Sequence, residues 1–161
     1  MGAAVSSVAV SVVRAEKVLH CPPQTVFDFV ATHHFENHPK WDPSIVELTP
    51  MSAGPMREGA TARLVRSDRG KRVDGIMTVT EYEPDRSFAA ISRFGPFELH
   101  QRAVSDALPD GTARLQLTID TRASGFLRLL LPLLRSRFRQ TMTTSLRTIR
   151  QRVEAGPPAQ Q

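Results

Sequence analysis

The sequence predicts an α+β domain in which an antiparallel sheet is covered by one long C-terminal helix. From Ile45 onward, the chain reads as short strands separated by tight-turn sequences. The last stretch, Gly125 to Glu154, instead places an apolar residue at every third or fourth position, which is the period of one helical face. A sheet with one apolar face needs a cover, and this helix is the only segment long enough to provide it.

Length and composition favour one globular domain. With 161 residues and 40% hydrophobic residues, the chain can bury an ordinary core, which we expect to span residues 1–154, followed by a disordered tail over 155–161. The net charge of +5 permits attraction to nucleic acid, anionic membranes or acidic ligands without selecting among them. Cys21 is the only cysteine, which rules out an internal disulfide and fits a cytoplasmic location.

The N-terminal part predicts one strand and two short helices. Alternating valines from Val8 give a long first strand, whose inward face the pattern leaves open. The strand stops at Cys21-Pro22-Pro23, where proline can open a short helix because its first N–H groups need no partner. His33 to Asp42 reads as a second short helix or a turn, and Phe35 and Pro39 should interrupt any regular helix there.

Tight turns allow the register of the central strands to be counted. Three turn sequences, Glu83-Pro84-Asp85-Arg86, Gly95-Pro96 and Pro109-Asp110-Gly111, would close consecutive hairpins. The predicted cross-strand pairs are Val79 with Ala90, Met77 with Ser92, Phe94 with Phe97, Ala90 with Gln101, Gln101 with Ile119, and His100 with Asp120.

This register collects nearly all the apolar residues of four strands on one face. The inward set is Val73, Gly75, Met77, Val79, Phe88, Ala90, Ser92, Phe94, Phe97, Leu99, Gln101, Ala103, Leu115, Leu117, Ile119 and Thr121. Such agreement predicts an antiparallel meander. In the preceding strand, Leu64 and Val65 are equally good candidates for the inward position.

The C-terminal helix is predicted to be apolar on one side and basic on the other. Its apolar residues are Phe126, Leu130, Leu134, Phe138, Met142, Leu146, Ile149 and Val153. The residues between them include Arg128, Arg135, Arg137, Arg139, Arg147, Arg150 and Arg152. Pro132 lacks the N–H that a helix interior needs, so we expect a kink between Arg128 and Pro132.

Small residues on the inward face leave room beneath the helix. Gly75, Ala90, Ser92 and Ala103 stand where a packed core would use larger side chains. Gln101 and Thr121 place an amide and a hydroxyl on the same inward face. A buried amide without a hydrogen-bond partner costs about 1 to 3 kcal/mol of folding stability. Two interpretations remain: a cavity whose ligand or water meets these groups, or a core that Phe138 and Met142 fill.

Three segments together resemble the START-like superfamily, and more narrowly its bacterial polyketide cyclase/dehydrase and lipid-transport branch, the SRPBCC proteins. They are the strand and Pro-opened helix through Leu19 to Phe29, the run Pro39-Lys40-Trp41-Asp42-Pro43-Ser44, and the helix start Gly125 to Leu134. The resemblance covers about Val8 to Val153. It implies a helix-grip fold: a curved antiparallel sheet wrapped around the C-terminal helix, with a hydrophobic cavity between them and Trp41 near its mouth.

Few residues of the sequence are candidates for catalysis or metal binding. His34 and His38 have the one-turn spacing of metal ligands, but a third ligand is missing, so no metal or cofactor is expected and the histidines, including His33, should lie at a cavity rim or on the surface. His100 falls on the outer face of the sheet, and Cys21 has no activating partner. No catalytic residue is assigned.

The leading hypothesis is therefore a protein that binds a small apolar ligand, such as a lipid or polyketide. The expected ligand-binding residues are Trp41, Met77, Ser92, Phe94, Leu99, Gln101, Thr121, Leu134, Phe138 and Met142.

One alternative is an aromatic polyketide cyclase/dehydratase that acts without metal and uses an inward titratable residue, with His38 the best candidate. Another is a surface-interaction protein whose arginine face docks on anionic membrane or RNA. Nucleic acid is the weaker partner, because the interleaved aromatics used for base stacking are missing.

Overall fold

A seven-stranded antiparallel sheet carries three α-helices in the computed structural model, which describes residues 8–156. The strands are β1 (Ala9–Leu19), β2 (Ile45–Pro50), β3 (Thr61–Asp68), β4 (Lys71–Glu83), β5 (Ser87–Phe94), β6 (Phe97–Ala107) and β7 (Ala113–Ala123). The α-helices are α1 (Pro23–Phe27), α2 (His34–Trp41) and α3 (Leu131–Glu154). A π-helical turn, Asp28–Thr32, joins α1 to α2, and a 3-10 helix, Gly125–Leu130, precedes α3. Of the tail predicted over 155–161, residues 157–161 lie outside the described residues, as do residues 1–7.

The strand order, β1-β7-β6-β5-β4-β3-β2, is that of a meander whose first strand returns to pair with the last. All the predicted cross-strand pairs of β4 to β7 are present, including Ala90 with Gln101 and Gln101 with Ile119. A bulge between Val79 and Glu81 adds one residue to β4, so that Tyr82 pairs with Phe88. The helix-grip fold and the predicted register are therefore confirmed.

Gly75 decides how the sheet interior is filled at β4. Leu64 pairs with Gly75 and so faces the interior, which settles the choice between Leu64 and Val65. A Cβ atom at Gly75 would lie 2.5 Å from both the Arg93 carbonyl oxygen and the Phe94 ring. The room that glycine leaves at this point is thus occupied by Phe94, and the filled-core interpretation holds for this part of the sheet.

The two halves of the C-terminal segment differ in burial. Met142, Leu146, Ile149 and Val153 are buried as predicted, and α3 packs mainly on β1. Leu134 and Phe138 are half-buried. The prediction of a buried Phe126 and Leu130 is wrong, because these side chains are exposed.

Pro132 stands at a change of helix type rather than inside a helix. The 3-10 helix ends at Leu130 and α3 begins at Leu131, so proline lies in the first turn, where a missing N–H has no helical acceptor to lose. Where a kink was expected, between Arg128 and Pro132, the structure has this change of helix type.

Helix α2 is regular despite Pro39, so the expectation that proline would interrupt it is wrong. The helical bonding resumes after the proline, since the Asp42 N–H donates to the His38 carbonyl at 3.0 Å. The Asn37 side-chain amide donates to the Phe29 carbonyl at 3.0 Å and so holds the helix against the preceding turn. None of the helices within residues 8–156 is long and apolar enough to cross a bilayer.

Gly75→Ala should destabilise the protein, because the new methyl group would overlap the Arg93 carbonyl and the Phe94 ring. Overpacking of this kind costs about 1 to 3 kcal/mol in free energy of unfolding, measured by urea titration. Gly70→Asn is the control, since Gly70 has open space and a φ of +79° that asparagine tolerates. An unchanged midpoint in Gly75→Ala would mean that Phe94 does not lie against this glycine.

Candidate functional site

A cavity lies between α2, the sheet strands β5 to β7 and α3. Its volume is about 60 Å³. The lining residues are Val30, His34, His38, Trp41, Asp42, Arg66, Phe88, Leu99, Gln101, Arg102, Ala103, Leu117, Thr118, Ile119, Phe138, Thr141, Met142 and Ser145. Five residues predicted for ligand binding are therefore brought together here: Trp41, Leu99, Gln101, Phe138 and Met142.

The other five predicted residues do not line this cavity. Met77, Ser92 and Phe94 are buried in the sheet near Gly75. Thr121 is buried opposite Leu99 on β7, and Leu134 is half-buried on the first turns of α3. Of the four small inward residues, Ala103 borders the cavity, whereas Gly75, Ala90 and Ser92 do not line it.

His34 is buried in the cavity wall as a neutral imidazole. Its Nδ1 lies 2.8 Å from the Val30 carbonyl oxygen, which can only accept, so Nδ1 carries the proton. Its Nε2 lies 3.0 Å from the Gln101 amide nitrogen and therefore accepts. Burial, with the nearby His38, holds the pKa of His34 well below the ordinary 6.5, against the opposing effect of the Val30 carbonyl. The neutral tautomer is the one that both hydrogen bonds require.

Aromatic rings fix His34 in place. Its ring centre lies 4.5 Å from that of Phe88 on the sheet and 4.5 Å from that of His38 on α2. Trp41 packs on the same group, 5.1 Å from His38 and 5.5 Å from His34. His34, His38 and Trp41 therefore form one wall of the cavity with little rotational freedom.

His38 has one nitrogen near a carboxylate and one without a partner. The His38 Nε2 lies 3.6 Å from Asp42 Oδ2, close enough for charge pairing but longer than a hydrogen bond. Its Nδ1 is buried and has no hydrogen-bond partner among residues 8–156. A buried polar atom of this kind costs about 1 to 3 kcal/mol unless a ligand or water meets it.

Asp42 is tied to the sheet through Ser44. One oxygen of Asp42 accepts from the Ser44 N–H at 2.9 Å and from the Ser44 hydroxyl at 2.6 Å. The Ser44 hydroxyl in turn accepts from Arg66 Nη2 at 2.9 Å. Burial alone would raise the pKa of Asp42, but His38, Arg66 and Ser44 together hold it well below its ordinary value, so the carboxylate is charged at neutral pH.

Arg66 joins the sheet to α3 across the cavity. Its guanidinium carbon lies 5.5 Å from the centre of the Phe94 ring and 5.8 Å from that of the Phe138 ring. Burial lowers the pKa of Arg66, against the opposing charges of Asp42 and Asp68. Phe94 therefore contributes to the site through Arg66 rather than by lining the cavity.

His34, Asp42 and Arg66 are the site residues that sequence reasoning did not assign. A signal existed for two of them, since His34, His38 and Asp42 recur at four-residue spacing and so share one side of a helix. No signal in the sequence pointed to Arg66, because a charged residue on a strand is normally predicted to face solvent. His100 pairs with Asp120 as predicted and contacts Glu98. Among residues 8–156, no group of three or more His, Cys, Asp or Glu side chains is placed to hold a metal ion.

Residues 11–154 match the model of one protein family, described as polyketide cyclase/dehydrase and lipid transport. The chain belongs to this family. No curated protein matches the sequence.

Solved structures show the same fold as this family member at low sequence identity. The Zhui aromatase/cyclase from Streptomyces sp. R1128 has a TM-score of 0.75 at 14% identity, covering 91% of this chain and 94% of its own. A START superfamily protein from Mycobacterium smegmatis scores 0.72 at 18% identity, covering 89% and 97%. The protein TTHA0849 from Thermus thermophilus scores 0.72 at 21% identity, covering 90% and 98%. At these identities the likeness establishes the fold alone.

The pKa of His34 predicts a loss of stability in mild acid. The unfolded chain protonates this histidine near pH 6.5, whereas the folded protein resists protonation until a much lower pH. Stability is therefore complete above about pH 6.5 and falls as the pH decreases, by at most about 1.4 kcal/mol per pH unit. Depressed carboxyl groups such as Asp42 and Glu81 contribute only below their ordinary values of 3.8 and 4.5.

Urea unfolding measured between about pH 7 and pH 5 isolates the effect of His34 on the free energy of unfolding from that of the carboxyl groups. His34→Gln should flatten this pH dependence, and His20→Gln, at an exposed histidine, should leave it unchanged. Equal slopes in wild type and His34→Gln would show that His34 protonates freely in the folded state.

Proposed function

We propose that this protein binds a small, mostly apolar molecule with a polar group at one end, in the cavity between the sheet and α3. The observation that carries the proposal is the unpartnered, buried Nδ1 of His38 in the cavity wall. Membership of the family supports it, since the family's description names lipid transport and polyketide cyclases, whose ligands are largely apolar. The identity of the ligand follows from chemistry rather than from the fold.

The cavity lining combines apolar side chains with a few polar groups. Gln101 uses one amide N–H on His34, which leaves its second N–H and its carbonyl oxygen for a ligand. Leu99, Phe138 and Met142 supply apolar contact from the sheet and from α3. An apolar body with a hydroxyl or carbonyl group at its end fits this distribution, because few polar groups set the orientation in such sites.

The cavity must enlarge to take a whole ligand. Its 60 Å³ holds a few water molecules, whereas sites for small organic molecules measure about 300 to 1,000 Å³. Leu134 and Phe138 are half-buried, and of the three α3 residues before them Pro132 and Leu133 are exposed while Leu131 is buried. We infer that the first turns of α3 move outward on binding, while Met142 to Val153 stay packed on the sheet.

Gln101→Leu should weaken a polar ligand more than an apolar one of the same shape. We take 2-naphthol and naphthalene as probes, measured by calorimetry or competition. Loss of one hydrogen bond should weaken 2-naphthol about fivefold or more and leave naphthalene nearly unchanged.

Ala103→Phe is the occupancy control, since Ala103 lines the cavity and a ring there should block both probes. Val10→Phe, at an exposed valine of β1, should block neither. Equal losses of the two probes in Gln101→Leu would contradict the assignment of Gln101 to the polar end.

A second candidate, an aromatic polyketide cyclase/dehydratase, is favoured by the pairing of His38 with Asp42. A carboxylate near Nε2 keeps the proton on that nitrogen, which leaves Nδ1 as a base. In a poly-β-keto chain, Nδ1 would remove a proton from the carbon between two carbonyl groups. The resulting enolate would attack a further carbonyl carbon, forming a carbon–carbon bond, and the alkoxide would recover the proton before water is lost.

His38→Gln tests this reaction with a synthetic poly-β-keto thioester as substrate. If His38 is the base, the variant should lose about a hundredfold or more in turnover, because positioned acid–base groups contribute that much. Binding of naphthalene should persist, as the apolar walls are unchanged. Turnover by the wild type that survives in His38→Gln would remove His38 from the reaction, and absence of turnover in both would leave binding as the function.

Contact between the basic side of α3 and an anionic surface is a separate proposal. Arg135, Arg139, Arg147 and Arg152 are exposed. These charges alone are typical of a solvated face. The exposed apolar residues that precede these arginines in the chain indicate the kind of partner more specifically.

A further inference from the structure

Four large apolar side chains stand exposed together where the 3-10 helix meets α3. Phe126 is 77% exposed, Leu129 75%, Leu133 52% and Leu130 44%. They fall within eight consecutive positions, and we name them the apolar tip. Single exposed apolar residues are common, but a group of four this large marks a surface that contacts something else.

The apolar tip lies on a part of the chain that the sheet does not cover. The second half of α3 buries Met142, Leu146, Ile149 and Val153 on the sheet, with the same three- and four-residue spacing. The 3-10 helix buries no residue at all. The apolar tip is therefore not needed to complete the core.

In the chain segment that carries the apolar tip, every charged side chain is positive, although Arg122 lies 3.5 Å from Asp120. Residues 121–153 contain no Asp or Glu. They contain Arg122, Arg128, Arg135, Arg137, Arg139, Arg147, Arg150 and Arg152. Arg128 lies inside the apolar tip, and Arg135 follows Leu133 by two residues; both are exposed.

The turn between β3 and β4 adds charge of the same sign beside α3. Arg137, one helical turn after Leu133, bonds to Asp68 at 3.1 Å and so brings this turn against the first half of the helix. After Asp68 come Arg69 in the turn and Lys71 and Arg72 at the start of β4, all exposed, and Arg72 lies 3.7 Å from Glu47. Asp68, the acidic residue of the turn, is paired with Arg137.

We propose that the apolar tip inserts into the surface of an anionic lipid bilayer. Phe and Leu side chains bury in the boundary between headgroups and acyl chains, while the arginines around them pair with acidic headgroups. A second copy of the chain would bring like charges together, and RNA phosphates offer nothing to four apolar side chains. The bilayer is the one partner that meets both the apolar and the basic groups.

Vesicle co-sedimentation tests the proposal on the full chain. The vesicles are phosphatidylcholine alone, or phosphatidylcholine mixed with phosphatidylglycerol. The wild type should pellet with the mixed vesicles, and added salt should weaken this binding. Removing two inserted side chains in Phe126→Ser with Leu129→Ser should weaken the partition about tenfold or more.

Val18→Ser with Met51→Ser is the matched control, because these side chains are 40% and 59% exposed and lie at the far end of β1 and just after β2, away from the end of β7 that leads into the apolar tip. It should bind vesicles as the wild type does, and neither double variant should change the unfolding midpoint. Failure of the wild type to pellet with mixed vesicles, or equal binding by both double variants, would overturn the proposal. Dimerisation or RNA binding lost in the tip variant, without vesicle binding, would assign the surface to that partner instead. Probe binding in the cavity is independent of these outcomes.

Discussion

The buried carboxylate of Asp42 organises the site, because burying it is costly unless charged and polar partners surround it. His38 approaches it from α2, Ser44 from the following loop, and Arg66 reaches it through Ser44 from β3. The end of α2 and the loop after it are thereby held against β3, 22 positions further along the chain. That arrangement fixes His38 with one nitrogen towards Asp42 and the other without a partner, which is the feature on which a binding or catalytic role depends.

The sheet interior divides into a filled part and an open part. At β4, the absence of a side chain on Gly75 lets the Phe94 ring lie across the backbone, so small size there serves packing. At β6, Ala103 and Gln101 border the cavity instead. Arg66 connects the two parts, since its guanidinium packs on both Phe94 and Phe138. A ligand that displaced Phe138 would therefore also shift Arg66 and, through Ser44, Asp42.

The apolar repeat of the C-terminal segment is exposed to solvent at its start and buried on the sheet further along. The same spacing that buries Ile149 and Val153 leaves Phe126 and Leu130 in solvent. Periodicity reports which residues share a side of a helix, and it says nothing about how far the sheet beneath extends. Apolar residues beyond the end of that cover remain available for a partner, and the concentration of arginine around them restricts its charge.

By itself, the sequence determined the elements and the sheet register, because turn chemistry and two-residue alternation act over short distances and leave one consistent pairing. It also placed Gln101 on the inward face. Tertiary structure decided what Gln101 would meet: His34 lies 67 positions away, and no local pattern ranks such contacts. The regular α2 through Pro39, the burial of Arg66 and the exposure of Phe126 likewise depend on neighbours distant in the chain. Local propensity fixes each element, but the surroundings of a side chain are set by which elements pack against it.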